Sequence, residues 1–267
     1  MNPPDHHWVG TGRTETGRVR STNQDAFAVL NERMVWLVAD GMGGHPAGDV
    51  AARMAVASVV QDAERCFHLT HRMTDDPSRL LSEWLIAANR GIYEHAQAQP
   101  ALTGMGTTIV AMAITTAPAP VAHIAHLGDS RAYLYRAGTL RQLTRDHTLV
   151  EKYLRSGLIS EAQSKTHPER HVLTEALGIE RRVAPTRTTV RIEPEDRLLL
   201  CTDGLTKMLD DREIAARLSD VEADPSRICD ALIDEALDRG GEDNVTVIVC
   251  ISIRSASCRP SNHVIPQ

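Results

Sequence analysis

The apolar positions of this chain fall into short unbroken runs set between turn residues, and several of the runs stop at an acid. Residues 34–39 (MVWLVA) are six apolar positions in a row, the pattern of a strand buried on both faces. The run ends on Asp40, and a Gly-rich turn, GMGGHPAG, follows at once. The same order recurs at 198–204 (LLLCTDG) and at 121–129 (VAHIAHLGD), while Asp243 stands just before the run VTVIVCI. In an antiparallel sheet the C-terminal end of one strand lies beside the N-terminal end of its neighbour. Three acids after strands (Asp40, Asp129, Asp203) and one before a strand (Asp243) are therefore expected to gather at a single rim. Clustered carboxylates repel one another, so such a rim calls for a cation.

The rest of the chain follows in order. Residues 1–7 read as an unstructured lead-in, 8–19 as a strand and turn, and 20–25 as a polar loop feeding a strand at 26–30. Asn31 and Glu32 make a tight connection into the central run. Residues 49–60 repeat Ala, Met and Val at helical spacing, a small-residue helix able to pack closely on a sheet. Asp76-Pro77 opens the next helix as cap and first position, with an apolar stripe of Leu81, Trp84, Leu85, Ala88 and Ile92. Residues 106–114 and 121–127 are strands, and 131–135 with 140–143 form a hairpin around Ala137-Gly138. From 148 to 189 the strand rhythm breaks into short helical pieces, one carrying a capping box of Ser160 and Gln163. This polar segment is expected to form a flap beside the acid rim. Strands resume at 188–192 and 197–201, Asp224-Pro225 opens a second long helix, and 245–253 closes the set. No repeat or linker interrupts the pattern. The expectation is one domain over 5–254, with a flexible tail at 255–267. Many antiparallel-type strands with a few long helices make the class α+β: two stacked antiparallel sheets flanked by pairs of α-helices.

Composition narrows this picture only in places. With 42% apolar but 3% aromatic residues among 267, the core must be built from Ala, Val, Leu and Ile. A net charge of −6 offers no attraction to nucleic acid or an anionic membrane. No apolar run approaches the roughly 18 residues of a membrane span, and MNPPDHHW lacks the regions of a signal peptide. The cysteines show no paired spacing, and Cys201, Cys229 and Cys250 fall inside strands or helices, which points to a reducing, cytoplasmic setting.

Aspartates at strand ends are hard oxygen ligands, suited to Mg²⁺ or Mn²⁺ more than Zn²⁺. The carbonyl of Gly41 can join them. Arg20, five residues before Asp25, has the planar fork that matches phosphate oxygens. Competing motifs fail. GMGGHPAG has neither phosphate-loop spacing nor GxGxxG, and no GxSxG elbow occurs. His123 and His126, three apart on a strand, point to opposite faces and read as packing residues. Cys201 reads as core rather than nucleophile.

The motifs RxxNQDA, ADGMGGHPAG, GMGTT, LGDSRAY, CTDGL and GEDNVT, spread from Arg20 to Thr246, are together similar to those of the metal-dependent Ser/Thr protein phosphatases of the PPM or type 2C family, in their bacterial form. That resemblance implies the two-sheet fold and a two-metal hydrolysis without a covalent phosphoenzyme. It makes Asp40 the bridge between two Mn²⁺ or Mg²⁺ ions, gives one of them the Gly41 carbonyl, and assigns Asp203 and Asp243 to the other. Asp129 matches a ligand for a third ion, Asp25 acts through bound water, and Arg20 holds the substrate phosphate. Asn244 matches a site-lining residue, and His45 falls near the family's general acid. Gln24 departs from the pattern, where a glutamate is common, and removes a charge near the metals. The implied partners are phosphorylated proteins, among them a bacterial Ser/Thr kinase whose action the enzyme opposes, and the protein is expected to act as a monomer. The rival readings are a catalytically idle binding module and a different two-metal hydrolase such as a nuclease, which the acidic net charge disfavours.

Overall fold

The computed structural model describes residues 6–42, 47–70, 76–220 and 223–254. Ten strands form two five-stranded antiparallel sheets. One sheet runs in the order β1 (His6–Glu15), β10 (Val245–Arg254), β9 (Arg197–Cys201), β6 (Arg131–Arg136), β7 (Thr139–Gln142). The other runs β2 (Asp25–Leu30), β3 (Val35–Asp40), β4 (Ile109–Thr115), β5 (Val121–Leu127), β8 (Thr186–Arg191).

The unbroken apolar runs now have their reason. In β3, Trp36 and Val38 point between the sheets, where they meet Trp8, Leu198, Leu200 and Ile248 from the other sheet. Val35, Leu37 and Ala39 point the opposite way, onto the helices α1 (Gly48–Thr70) and α2 (Pro77–Ala98). The other sheet repeats this. Leu199, Cys201, Val247 and Val249 pack outward on α6 (Asp211–Leu218) and α7 (Pro225–Asp238). Each central strand is covered twice, so side-chain alternation sorts its residues between two cores and leaves no polar face. The order of layers is helix, sheet, sheet, helix, as the sequence pattern leads one to expect.

Local signals were accurate where chemistry dictates them. Asp76 and Asp224 cap α2 and α7 by accepting from the backbone N–H of Arg79 and Arg227, each with proline next. Ser160 and Gln163 form the capping box of α4 (Glu161–Thr166), which follows α3 (Leu149–Arg155). Several boundaries shift by a few residues, and two of the differences have a clear cause. The first strand begins at His6, inside the expected lead-in, because its ladder with β10 runs on to His6 opposite Arg254. The first long helix continues ten residues past its expected end at Val60, because Ala63 stays fully buried and Phe67 is covered by the Arg33 guanidinium. The segment 255–267, expected to be a flexible tail, lies outside the described residues. Among the described residues no helix is long and apolar enough to cross a membrane, and Cys201, Cys229 and Cys250 are buried free thiols.

His126 and His147 stack ring on ring, 4.7 Å between centroids, behind the β5–β6 turn. Burial, aided by the neighbouring His147 and opposed by the Arg145 carbonyl 2.8 Å from Nε2, brings the His126 pKa down from 6.5 to about 4. Below pH 6.5 the unfolded chain takes up a proton that the folded protein refuses, so stability from this group is present above that pH and is lost as pH falls. Between pH 8 and pH 5 the wild type is expected to lose about 2 kcal/mol more than His126→Leu in urea unfolding. Other titrating groups are common to both proteins and drop out of the difference. Equal losses would show that His126 is not held neutral.

Candidate active site

The two sheets bring their acids to one end of the sandwich. The register of β2 on β3 sets Asp25 directly opposite Asp40. Asp129 occupies the turn between β5 and β6. Asp203 is the first residue of α5 (Asp203–Thr206), just past β9, and Asp243 lies two residues before β10, which pairs with β9. Arg20, Asp40, Gly41, Asp129, Asp203 and Asp243 line a single open groove of about 1660 Å³. All four acids read from the strand ends are there, and Asp25 adjoins them.

Hydroxyl groups fix this geometry. Asp25 Oδ2 accepts from Thr246 Oγ1 at 2.6 Å and from Thr202 Oγ1 at 2.9 Å, so residues of one sheet hold an acid of the other. Asp40 is held through its backbone, its carbonyl accepting from Thr107 Oγ1 at 2.8 Å and from the Thr108 N–H at 2.9 Å. Thr108 Oγ1 in turn lies 2.7 Å from Ser130 Oγ, beside Asp129. Two glycines are dictated by close approach: a Cβ on Gly41 would stand 2.3 Å from the Gly48 carbonyl oxygen, and one on Gly204 1.9 Å from that of Asn244. Any side chain there pushes the adjacent aspartate out of place.

The carboxylates strain one another. Burial, then the charges of Asp25, Asp203, Asp129 and Asp243, hold Asp40 well above the usual carboxylate range. Burial lifts Asp25 to about 7 against its two threonine bonds, with Asp203 and Asp243 adding to the rise. Burial with Asp203 and Asp146 lifts Asp129 to about 8. Asp243 goes the other way, because Lys207 and Arg20 outweigh its burial and hold it below its ordinary value. Asp25 Oδ1 and Asp203 Oδ1 are buried with no hydrogen-bond partner. Surplus negative charge together with orphaned oxygens fits divalent cations. Among the described residues no three acid, His or Cys side chains form a ready ligand cage.

The family profile described as Protein phosphatase 2C matches residues 10–236. The chain belongs to the protein phosphatase 2C family. This phosphatase is 39% identical over 241 residues to the serine/threonine phosphatase stp of Listeria welshimeri, covering 89% of this chain and 93% of that protein. It is similar to the crystal structure of the Mycobacterium tuberculosis serine/threonine phosphatase PstP/Ppp, with TM-score 0.82 and 33% identity across 92% of this chain and 98% of that one. A PstP catalytic domain in complex with two manganese ions matches at TM-score 0.81 and 31% identity, over 93% of this chain and all of that one.

Three further residues of the phosphatase stand out at the site. The Arg20 fork reaches the cluster, as its motif leads one to expect, and grips Asp243: Nε lies 2.8 Å from Oδ1 and Nη2 3.0 Å from Oδ2. Asn244 lines the groove, as its motif leads one to expect, and its side chain donates to the carbonyls of Thr16 (2.8 Å) and Thr22 (2.9 Å) and accepts from the Gln24 N–H (2.9 Å). It thus ties down the loop that carries Arg20. Lys207, to which no motif assigns a part, reaches both Asp203 and Asp243. Its signal was available, since it sits four residues after Asp203, the spacing of a helical ion pair. His45 lies outside the described residues.

Proposed function

We propose that the acid cluster holds two Mn²⁺ or Mg²⁺ ions and hydrolyses phosphoserine and phosphothreonine on proteins. Asp40 and the Gly41 carbonyl, with Asp203 and Asp243, are the ligands, and Asp129 holds a third ion. The observation that carries this reading is the gathering of four half-buried aspartates in one groove with Asp25 adjoining them, two carboxylate oxygens of the cluster being orphaned. The names of the full-length relatives agree with it.

When bound, such ions polarise phosphoryl oxygens and make a water molecule acidic enough to attack. The protein supplies the rest. Asp25 keeps Oδ2 on its two threonines and offers Oδ1 to a water molecule. Arg20 presents a phosphate-matched fork, turning from Asp243 to the substrate. Burial lifts the thiol of Cys201, the cysteine beside the site, to about 12, so it is no nucleophile at neutral pH. That supports direct hydrolysis without a phosphoenzyme. The segment 148–178, which contributes Lys165 and Arg170 to the lining of the groove, acts as a flap that selects among phosphoproteins without joining the chemistry. The protein works as a monomer in the cytoplasm, opposing a Ser/Thr kinase.

The test is release of phosphate from phosphoserine and phosphothreonine peptides. Turnover that appears with Mn²⁺ and vanishes with EDTA is the expected result. Hydrolysis of DNA instead, or no turnover of any phosphopeptide, would overturn the reading.

Arg20→Ala is expected to lower kcat/KM on a phosphopeptide by roughly 10- to 100-fold, the scale of one or two charge-assisted bonds. Mn²⁺ affinity should not weaken, because the change removes a cation rather than a ligand. A loss of Mn²⁺ binding by calorimetry would mean that Arg20 supports the metal site instead.

A further inference from the structure

We infer that Lys207 is an internal competitor for the metal-binding carboxylates, an ammonium that clasps Asp203 and Asp243 and so sets how tightly a divalent ion binds there. The inference rests on the two-ion reading above and concerns a residue to which that reading gives no part.

Lys207 Nζ lies 2.7 Å from Asp203 Oδ2 and 2.8 Å from Asp243 Oδ2. The reach is built in. Lys207 directly follows α5, its backbone N–H donates to the Asp203 carbonyl at 2.8 Å, and the two side chains stand four residues apart on one face. Only 25% of the Lys207 side chain and 17% of each acid remain exposed, so solvent screens the clasp poorly. Asp243 is held from its other side by Arg20, which takes both of its oxygens. Every carboxylate oxygen of the pair except Asp203 Oδ1 is therefore spoken for by a cation of the protein itself.

An ammonium and a metal ion draw on the same lone pairs. An oxygen bonded to Nζ at 2.7 Å cannot also give its full charge to a divalent ion, so loading the site requires Lys207 to let go. The lysine then has two opposite effects. It neutralises the acids of the metal-free protein and stabilises that form, and it weakens binding of the ion. A lysine that was only a surface ion pair would do neither to a measurable extent. One that served the substrate phosphate would alter KM and leave Mn²⁺ affinity alone.

The experiment measures Mn²⁺ affinity by titration calorimetry, and thermal midpoints in EDTA and in saturating Mn²⁺, for the wild type, Lys207→Met, Lys207→Gln and Lys207→Arg. Lys207→Met and Lys207→Gln are expected to bind Mn²⁺ on the order of tenfold more tightly. Both should melt lower than wild type in EDTA and draw level with it in saturating Mn²⁺. Lys207→Arg, which keeps the cation, should stay close to wild type. Unchanged or weaker Mn²⁺ binding in a folded Lys207→Met or Lys207→Gln protein overturns the inference while leaving the two-ion reading intact. A wild type that binds no Mn²⁺ removes that reading, and this inference with it.

Discussion

Asp40→Asn is expected to reduce kcat/KM on a phosphopeptide by at least about a thousandfold, a loss of about 4 kcal/mol of transition-state stabilisation. The side chain keeps its shape, so the strand and its hydrogen bonds to Thr107 and Thr108, which run through the backbone, survive the change. What goes is one ionisable group of the cluster, whose ionisation burial and then the other four acids oppose. Without metal the variant should even be the more stable protein, because the amide escapes the penalty that burial and the neighbouring acids place on an ionised carboxylate there. Phosphatase assays at saturating Mn²⁺, with melting curves in EDTA, check both halves. Near wild-type turnover would show that Asp40 is no ligand.

Asn244→Ala is expected to cost about 3 kcal/mol of stability and to lower kcat/KM at least tenfold. The residue is 5% exposed and satisfies two carbonyls and one N–H of the loop 16–24. Each group left unpaired in a buried place costs about 1–3 kcal/mol. Asn244→Asp is the sharper test, since the size is kept but a donor facing the Thr16 and Thr22 carbonyls becomes an acceptor. That variant should fail as badly as the alanine. If it behaves as wild type, the loop that carries Arg20 is held by something else. The kinetic loss should fall on the step that uses Arg20, appearing mainly in KM, and not on Mn²⁺ affinity.

Much of this site was legible along the chain, for a physical reason. An apolar run that stops abruptly at Asp-Gly states two facts at once: a strand buried on both faces, and an acid at its mouth beside a turn tight enough to demand glycine. Asp40 and Asp203 carry that signature, with Gly41 and Gly204 in places no Cβ can enter. Helix starts at Asp-Pro were equally plain, because capping is decided within four residues. What escaped notice depends on the third dimension. Arg20 announces itself as a phosphate fork, yet nothing local says that it grips an acid 223 residues away. Asn244 matches a site-lining residue by its motif, yet nothing local says that its side chain also ties down the loop 16–24. The first strand looked too polar to begin at His6, and only its partner β10 draws it in.

The two sheets share the aspartates: Asp25 and Asp40 stand on strands of one, Asp203 and Asp243 flank strands of the other, and Asp129 sits in the turn that crosses between them. On the two-ion reading proposed above, neither sheet alone supplies the full set of ligands. Their spacing is set by the apolar layer between, where Trp8 and Trp36 act as a gauge block at a distance from any phosphate. Turnover is therefore a census of finished molecules. A half-assembled chain contributes nothing to it, and damage to that greasy seam should register first as lost catalysis, before the fold itself gives way.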